Sequence, residues 1–194
     1  KRIMWDYKME EKTFDMIVIG AGPGGYVAAI RGAQLGLKVA IIEREHMGGI
    51  CLNWGCIPTK AMLRSSEVYH LLKNSKKYGV SADNVSYDLD AVVARSREIG
   101  SKLSNGITHL LKKNNIISFL GSAYLVGNSE VEVTVKTEKV KLFSENIVLA
   151  TGARAREIKG FEADEGNIWT YKNALTPKRM PKKLLVIGSG AIGV

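Results

Sequence analysis

The sequence has few of the residues that build metal centres, disulfide scaffolds or membrane spans. It contains only two cysteines and three histidines in 194 residues. A structural zinc site needs several Cys or His ligands at suitable spacing, so we expect no metal site. No apolar run approaches the roughly 20 residues that cross a bilayer, and residues 1–12 lack the apolar core of a signal peptide. These absences argue against an exported disulfide scaffold or a membrane anchor and favour a reducing compartment.

Acidic residues are also in short supply, and the net charge is +9. The basic residues do not form one stripe, and their clusters at Lys73–Lys77, Lys112–Lys113 and Lys178–Lys183 are separate. No helix-turn-helix, zinc finger or aromatic RNA-binding motif accompanies them. We therefore expect solvated surface and no nucleic-acid partner, with some positive potential available to hold an anionic cofactor.

The first organised segment has the order strand, glycine-rich turn, helix and strand. Phe14–Ile19 is a short apolar run that leads into Gly20-Ala21-Gly22-Pro23-Gly24-Gly25, and a helical pattern and a second apolar strand, Lys38–Ile42, follow. That strand ends in Glu43, where a dinucleotide-binding βαβ unit has its ribose-binding carboxylate. Gly20 permits the tight turn, Gly22 the approach of a pyrophosphate, and Gly25 close helix packing. This order predicts a dinucleotide site.

The two cysteines, Cys51 and Cys56, stand five positions apart. They form either a disulfide or half of a metal site, and no further ligands at workable spacing support the metal site. In an ideal helix their Cα atoms would be roughly 8.7 Å apart, whereas a disulfide prefers about 5.5–6 Å. We therefore expect the backbone to leave helical geometry between them, at Gly55, and the thiols to be a redox pair.

The segment Gly48–Lys60 reads GGICLNWGCIPTK. Together with the βαβ unit, it resembles the FAD-dependent pyridine nucleotide–disulfide oxidoreductases, and most closely their dihydrolipoamide dehydrogenase branch. Ile50, Trp54 and Ala153 depart from the usual Thr, Val and Ser of that pattern. None of these changes removes a group that the chemistry needs, although the change at Ile50 removes a hydroxyl.

The resemblance implies an FAD site, with Lys60 near the reactive end of the flavin and Cys51 and Cys56 as catalytic residues. The residues assigned to the FAD site are Gly20, Gly22, Pro23, Gly24, Gly25, Glu43, Arg44, Gly49, Ile50, Cys51, Cys56, Lys60, Ala123, Ala150, Thr151 and Gly152.

The reaction that the resemblance implies is oxidation of dihydrolipoamide to lipoamide, with electrons passing through the cysteine pair and FAD to NAD⁺. Cys51 is the sulfur that the substrate attacks, and Cys56 is released against the flavin. The resemblance also implies a homodimer, a substrate carried on a lipoyl domain of a 2-oxoacid dehydrogenase complex, and a location in the bacterial cytoplasm or the mitochondrial matrix. A related FAD disulfide reductase for glutathione or mercuric ion, and a chain that only binds nucleotide, remain open alternatives.

We expect an α/β fold in which a Rossmann-like, FAD-binding domain spans residues 1–160 and a crossover linker spans 161–182. Residues 183–194 would begin an NAD-binding domain, with a strand at Lys183–Ile187 and a second turn containing Gly188, Gly190 and Gly193. Because this second motif is incomplete, we expect a fragment of a longer protein that is inactive alone. The remaining predicted elements are helices at Lys60–Lys77 and Asp90–Asn114, a strand at Ile116–Leu120, an antiparallel meander at Val131–Lys136 and Lys139–Phe143, and a strand at Asn146–Gly152.

Overall fold

The computed structural model describes residues 12–164 and 166–193. The segment in which the sequence predicts no signal peptide, residues 1–12, lies outside the described residues except for Lys12. The elements, in chain order, are β1 (Lys12–Thr13), β2 (Met16–Ile19), α1 (Pro23–Gln34), β3 (Val39–Glu43), α2 (Gly49–Trp54), α3 (Cys56–Lys73), a 3₁₀ turn (Ser75–Tyr78), α4 (Leu89–Lys113), β4 (Ile117–Leu120), β5 (Ser122–Leu125), β6 (Glu130–Val135), β7 (Glu138–Phe143), β8 (Ile147–Leu149) and α5 (Tyr171–Ala174).

Two compact units divide the described chain, one formed by residues 12–51 and 102–152 and the other by residues 52–101 and 153–193. The first unit contains a four-stranded parallel sheet in the order β4-β3-β2-β8. Its central strands are apolar except for Glu43 at the end of β3, as expected for strands covered on both faces, and Ile17, Val18 and Ile41 have no exposed surface. The predicted parallel sheet is confirmed.

A second sheet in the same unit has the order β1-β7-β6-β5. Strands β5, β6 and β7 are antiparallel, which confirms the predicted meander, and β1 pairs with β7 in parallel. Inward residues of both sheets form one core, in which the rings of Phe14 and Phe119 meet edge to face at 6.5 Å. Ala123, which the sequence assigns to the cofactor site, pairs with Val133 and so lies on strand β5.

Helices dominate the second unit. The predicted helix at Lys60–Lys77 begins earlier, at Cys56, and ends at Lys73 before the 3₁₀ turn. The predicted helix at Asp90–Asn114 is confirmed as α4, which runs from this unit into the first. On this helix Ile107 and Leu111 are buried, whereas Leu103 and Leu110 remain exposed.

The predicted strand at Lys183–Ile187 is not a strand in the structure. Leu185 is 84% exposed and Ile187 is 61% exposed. A strand is stabilised by backbone hydrogen bonds to a neighbour, and no described strand pairs with this segment. An apolar run alone is therefore insufficient to make a strand here.

Within residues 12–164 and 166–193, no helix has both the length and the apolar character needed to cross a membrane. The same residues contain no cluster of three or more His, Cys, Asp or Glu side chains that could hold a metal ion.

Candidate nucleotide-binding and redox site

The turn after β2 has a geometry that requires glycine at two positions. Gly20 has a φ of +101°, in the left-handed region that favours glycine, and its N–H donates to the Ile42 carbonyl at 2.7 Å. A Cβ at Gly20 would overlap the carbonyl oxygen of Ala150, and a Cβ at Gly25 would overlap that of Gly20. The first and last glycines of the motif thus let the turn close and the helix approach, as predicted from their spacing.

Helix α1 begins immediately after this turn with its N-terminus free of side-chain capping. Gly22 is the N-cap and makes no side-chain cap, Pro23 opens the helix, and the first turn contains no acidic residue. The N–H groups at the end of a helix carry partial positive charge and attract anions. Since Pro23 and Gly24 are exposed, this helix end suits a phosphate group.

A second glycine pair comes close to the same turn. Gly48 donates its N–H to the Ala21 carbonyl at 2.9 Å. Gly49 has a φ of +59°, and a Cβ there would lie only 2.6 Å from the Gly22 Cα. The structure therefore brings together two glycine segments that are separate in sequence, and leaves backbone rather than side chains where they meet.

Glu43 stands at the end of β3 with its carboxylate directed to the glycine turn. Oε2 accepts a hydrogen bond from the Ala21 N–H at 2.9 Å, and Oε1 accepts one from the Glu45 N–H at 2.9 Å. A carboxylate has about four acceptor positions, so this held side chain can still accept hydroxyl hydrogen bonds. Its neighbour Arg44 is exposed and lies 3.7 Å from the Glu45 carboxylate.

The predicted residues after β8 and on β5 have different positions. Ala150 donates its N–H to Ile19 at 2.8 Å, and it lies against Gly20. Thr151 and Gly152 follow in exposed chain, with Gly152 at a φ of +68°. Ala123 lies on β5 in the second sheet, packed against the core. Its predicted contact with a cofactor stays a prediction.

The two cysteines lie on either side of a helix break. Helix α2 ends at Trp54, Gly55 leaves helical geometry, and α3 begins at Cys56. This confirms the predicted departure from a continuous helix. Cys51 and Cys56 carry thiols rather than a disulfide, and Cys56 is exposed. The structure thus has the dithiol form, and the bridge stays a prediction.

Two other predicted flavin contacts, Ile50 and Lys60, are both exposed, on α2 and α3 respectively. Their roles toward a cofactor remain predictions.

A contact that the sequence analysis missed involves Arg97 on α4. Its guanidinium donates to the Asn53 carbonyl and lies 4.1 Å from the centre of the Trp54 ring. Burial lowers the pKa of Arg97, yet an arginine stays charged in proteins. No motif could have revealed this contact, because 44 positions separate Arg97 from Asn53.

The second glycine turn repeats the local geometry of the first. Gly188 has a φ of +111°, and a Cβ at Gly193 would overlap the Gly188 carbonyl oxygen. The Gly193 N–H donates to the Gly190 carbonyl at 2.9 Å, just as the Gly25 N–H donates to Gly22 at 2.9 Å. The predicted dinucleotide turn is therefore present as a turn, although no strand precedes it.

Comparison with known proteins agrees with these features. Residues 14–194 match the family model described as pyridine nucleotide-disulphide oxidoreductase. The chain belongs to this family. The resemblance seen in the glycine and cysteine motifs is thereby confirmed.

Relatives within the pyridine nucleotide-disulphide oxidoreductases include the dihydrolipoyl dehydrogenase of Zymomonas mobilis, which is 56% identical over 93% of this chain and 39% of its own length. The mitochondrial dihydrolipoyl dehydrogenase of Pisum sativum is 44% identical over 93% of this chain and 36% of its own length. A solved structure, the Cu(II) complex of the HOCl-induced flavoprotein disulfide reductase RclA from Escherichia coli, is similar with a TM-score of 0.65. It is 26% identical, and the match covers 76% of this chain and 30% of that one. The chain thus spans less than half the length of these relatives.

Proposed function

We propose that this chain is the FAD-binding part of a dihydrolipoyl dehydrogenase, which oxidises dihydrolipoamide to lipoamide and passes the electrons to NAD⁺. The observation that carries the proposal is the helix break at Gly55 between two thiols, in a chain that is 56% identical to a dihydrolipoyl dehydrogenase. In this proposal residues 1–160 form the FAD-binding domain, 161–182 the crossover and 183–194 the start of the NAD-binding domain.

The first glycine turn fits the pyrophosphate and ribose of FAD. Backbone N–H groups at the start of α1 would receive the pyrophosphate, and Gly22 and Gly49, which lie against each other, have no side chains that would obstruct it. Glu43 would accept hydrogen bonds from ribose hydroxyls while its two backbone donors hold it in place. FAD, when bound, carries the electron pair between the thiols and NAD⁺.

The cysteine pair would perform the exchange with substrate. One thiolate of dihydrolipoamide attacks the Cys51 sulfur of the oxidised pair, the S–S bond breaks, and Cys56 leaves with the electron pair as a thiolate. The second substrate thiol then displaces Cys51, which releases lipoamide as a cyclic disulfide and leaves two protein thiols.

NAD⁺ would bind at the second glycine turn, through Gly188, Gly190 and Gly193. The substrate would be carried on a lipoyl domain of a 2-oxoacid dehydrogenase complex, and the whole enzyme would be a homodimer. The compartment would be the bacterial cytoplasm or, as for the pea relative, the mitochondrion.

Flavin binding and thiol specificity test the proposal. FAD added to the chain should show quenched fluorescence, and E43A should weaken binding about tenfold or more, because it removes the ribose acceptor and leaves the Ala21 N–H without its partner. In the full-length enzyme, dihydrolipoamide should reduce the flavin absorption far faster than an equal concentration of glutathione, and C51S should abolish the change. Preferential NAD binding at Gly20, or equally fast reduction by glutathione, would contradict the proposal.

A further inference from the structure

Helix α4 contacts the short stretch of chain between the two cysteines at three consecutive residues. The Gly100 position lies so close that a Cβ there would be 2.8 Å from the Leu52 carbonyl oxygen. Arg97 donates to the next carbonyl, that of Asn53, and its guanidinium lies over the ring of Trp54. Helix α4 thus contacts each of the last three residues of α2.

The hydrogen bond from Arg97 reaches a carbonyl in the last turn of α2. The last carbonyls of a helix have no partner within it, and they carry partial negative charge. Helix α2 has only six residues and ends at Trp54. A guanidinium at this end supplies both a donor and a positive charge, which favours termination of α2 before Gly55.

The polar contacts of the Trp54 side chain are cation–π contacts to its ring rather than a hydrogen bond from its indole N–H. The Arg97 guanidinium carbon lies 4.1 Å from the ring centre and the Lys172 ammonium 5.5 Å from it. The indole Nε1 is buried without a hydrogen-bond partner among the described residues. Cation–π contacts are strongest on tryptophan, and this residue stands where the motif usually has valine. The aromatic ring therefore gives Arg97 a planar surface that a valine would not provide.

We propose that Arg97 is a positioning residue for the Cys51–Cys56 pair, which it favours in the bridged form by holding the end of α2 through Asn53 and Trp54. This inference rests on the proposed function, because it takes the two thiols to be a redox pair. Since a continuous helix would place the two Cα atoms beyond disulfide range, the contact that ends α2 is also the one that makes the bridge accessible.

Equilibration of the 194-residue chain in glutathione buffers, followed by thiol counting, measures this effect without any cofactor. In the reaction, oxidised glutathione is reduced to two thiols as the protein dithiol becomes a disulfide. We expect R97M to lower the equilibrium constant for the bridge about tenfold, equivalent to about 1.4 kcal/mol. R97K, which keeps the charge but loses the planar face, should lower it about threefold.

Arg95 gives a matched control on the same helix. It donates instead to the Ala61 carbonyl on α3 at 2.9 Å, so R95M removes the same charge and a similar contact without touching the end of α2. R95M should leave the equilibrium constant within about twofold of wild type. Equal losses in R95M and R97M, or no loss in R97M, would overturn the inference.

Substitutions at Trp54 keep the test decisive if R97M does not fold. W54V should lower the equilibrium constant about threefold, whereas W54F retains an aromatic face and should stay within about twofold of wild type. Identical behaviour of W54V and W54F would refute the role of the ring. Failure of the wild-type chain to form any Cys51–Cys56 bridge would instead contradict the proposed function.

Discussion

The two glycine turns have nearly the same local geometry but different surroundings. Both begin with a glycine at positive φ, +101° at Gly20 and +111° at Gly188, and both close with a hydrogen bond of 2.9 Å. The first follows the central strand of a four-stranded sheet and leads into a twelve-residue helix. The second follows exposed chain that pairs with no described strand.

This difference separates what a glycine motif determines from what its surroundings determine. The turn depends on φ values and backbone contacts within six residues, so it forms in both places. A strand depends on hydrogen bonds and burial supplied by neighbours that are distant in sequence. The second apolar run lacks those neighbours among the described residues, and only its turn resembles that of the first.

Matched substitutions in the segments before the two turns should show the largest difference in the free energy of unfolding. Ile17 and Leu185 each stand three positions before the first glycine, and they are 0% and 84% exposed. I17A should lower the free energy of unfolding by about 3 kcal/mol, because it leaves a cavity in the sheet core. L185A should change it by less than about 0.5 kcal/mol. Urea unfolding followed by circular dichroism measures both.

A loss of similar size in L185A would show that residues 183–187 are buried against other parts of the chain in solution. The comparison drawn between the two turns would then be wrong. A small loss in I17A, with an unchanged dependence on urea concentration, would show that the sheet core repacks around the missing atoms.

Substitutions within the turns should show a smaller difference. G25A places a Cβ against the Gly20 carbonyl oxygen, and G193A places one against that of Gly188. G25A should cost about 2 kcal/mol, because its neighbours are fixed by the sheet. G193A should cost less than about 0.5 kcal/mol, because the exposed chain around Gly188 can move aside. Thermal unfolding of the two variants, with wild type as reference, measures both losses of stability. Equal losses would show that the turn itself determines the loss, whereas unequal losses would show that its surroundings do.

The sequence was sufficient to predict the elements whose causes are local or repeated. Buried strands with continuous apolar runs, such as Ile17–Ile19 in β2, were predicted along with the glycine turn and the helix break at Gly55. Glu43 was predicted as a site residue from its position in the sequence, at the end of the second strand. In the structure its carboxylate accepts a hydrogen bond from Ala21, in the first glycine turn. In each case the signal lies within a few consecutive residues or in a fixed spacing between them.

Features that depend on distant partners could not be predicted in the same way. Strand β5 exists because Ala123 pairs with Val133, and nothing in its short sequence indicates that pairing. The contact of Arg97 with Asn53 depends on how α4 packs, as does the burial of one side of that helix. The apolar run at 183–187 was wrongly predicted as a strand, because its pattern is typical of one but no described strand pairs with it.

The smallest expected effect concerns residues 164–168, which precede the second turn in the chain. Hydrogen bonds to a side chain, rather than strand pairing, order this segment. Asp164 Oδ1 accepts hydrogen bonds from the N–H groups of Gly166, Asn167 and Ile168, at 2.9, 2.8 and 2.8 Å. These bonds, that from Ile168 first, lower the pKa of Asp164 below its ordinary 3.8. Because the folded pKa is the lower one, the bonds stabilise this turn above pH 3.8 and are lost as the pH falls through the lowered pKa.

Amide exchange, expressed as protection relative to the unfolded chain, should detect this loss. Protection at residues 166–168 should fall as the pH is lowered through that range, whereas protection at Gly25 and Tyr26, whose N–H groups bond to the Gly22 carbonyl, should not. D164A should remove the protection at neutral pH. D164N retains an acceptor oxygen that cannot titrate in this range, so it should keep the protection and lose its pH dependence. Equal pH dependence of protection in D164N and wild type would show that another group titrates in this range. Residues 166–168 would then be ordered by contacts other than those with the Asp164 carboxylate.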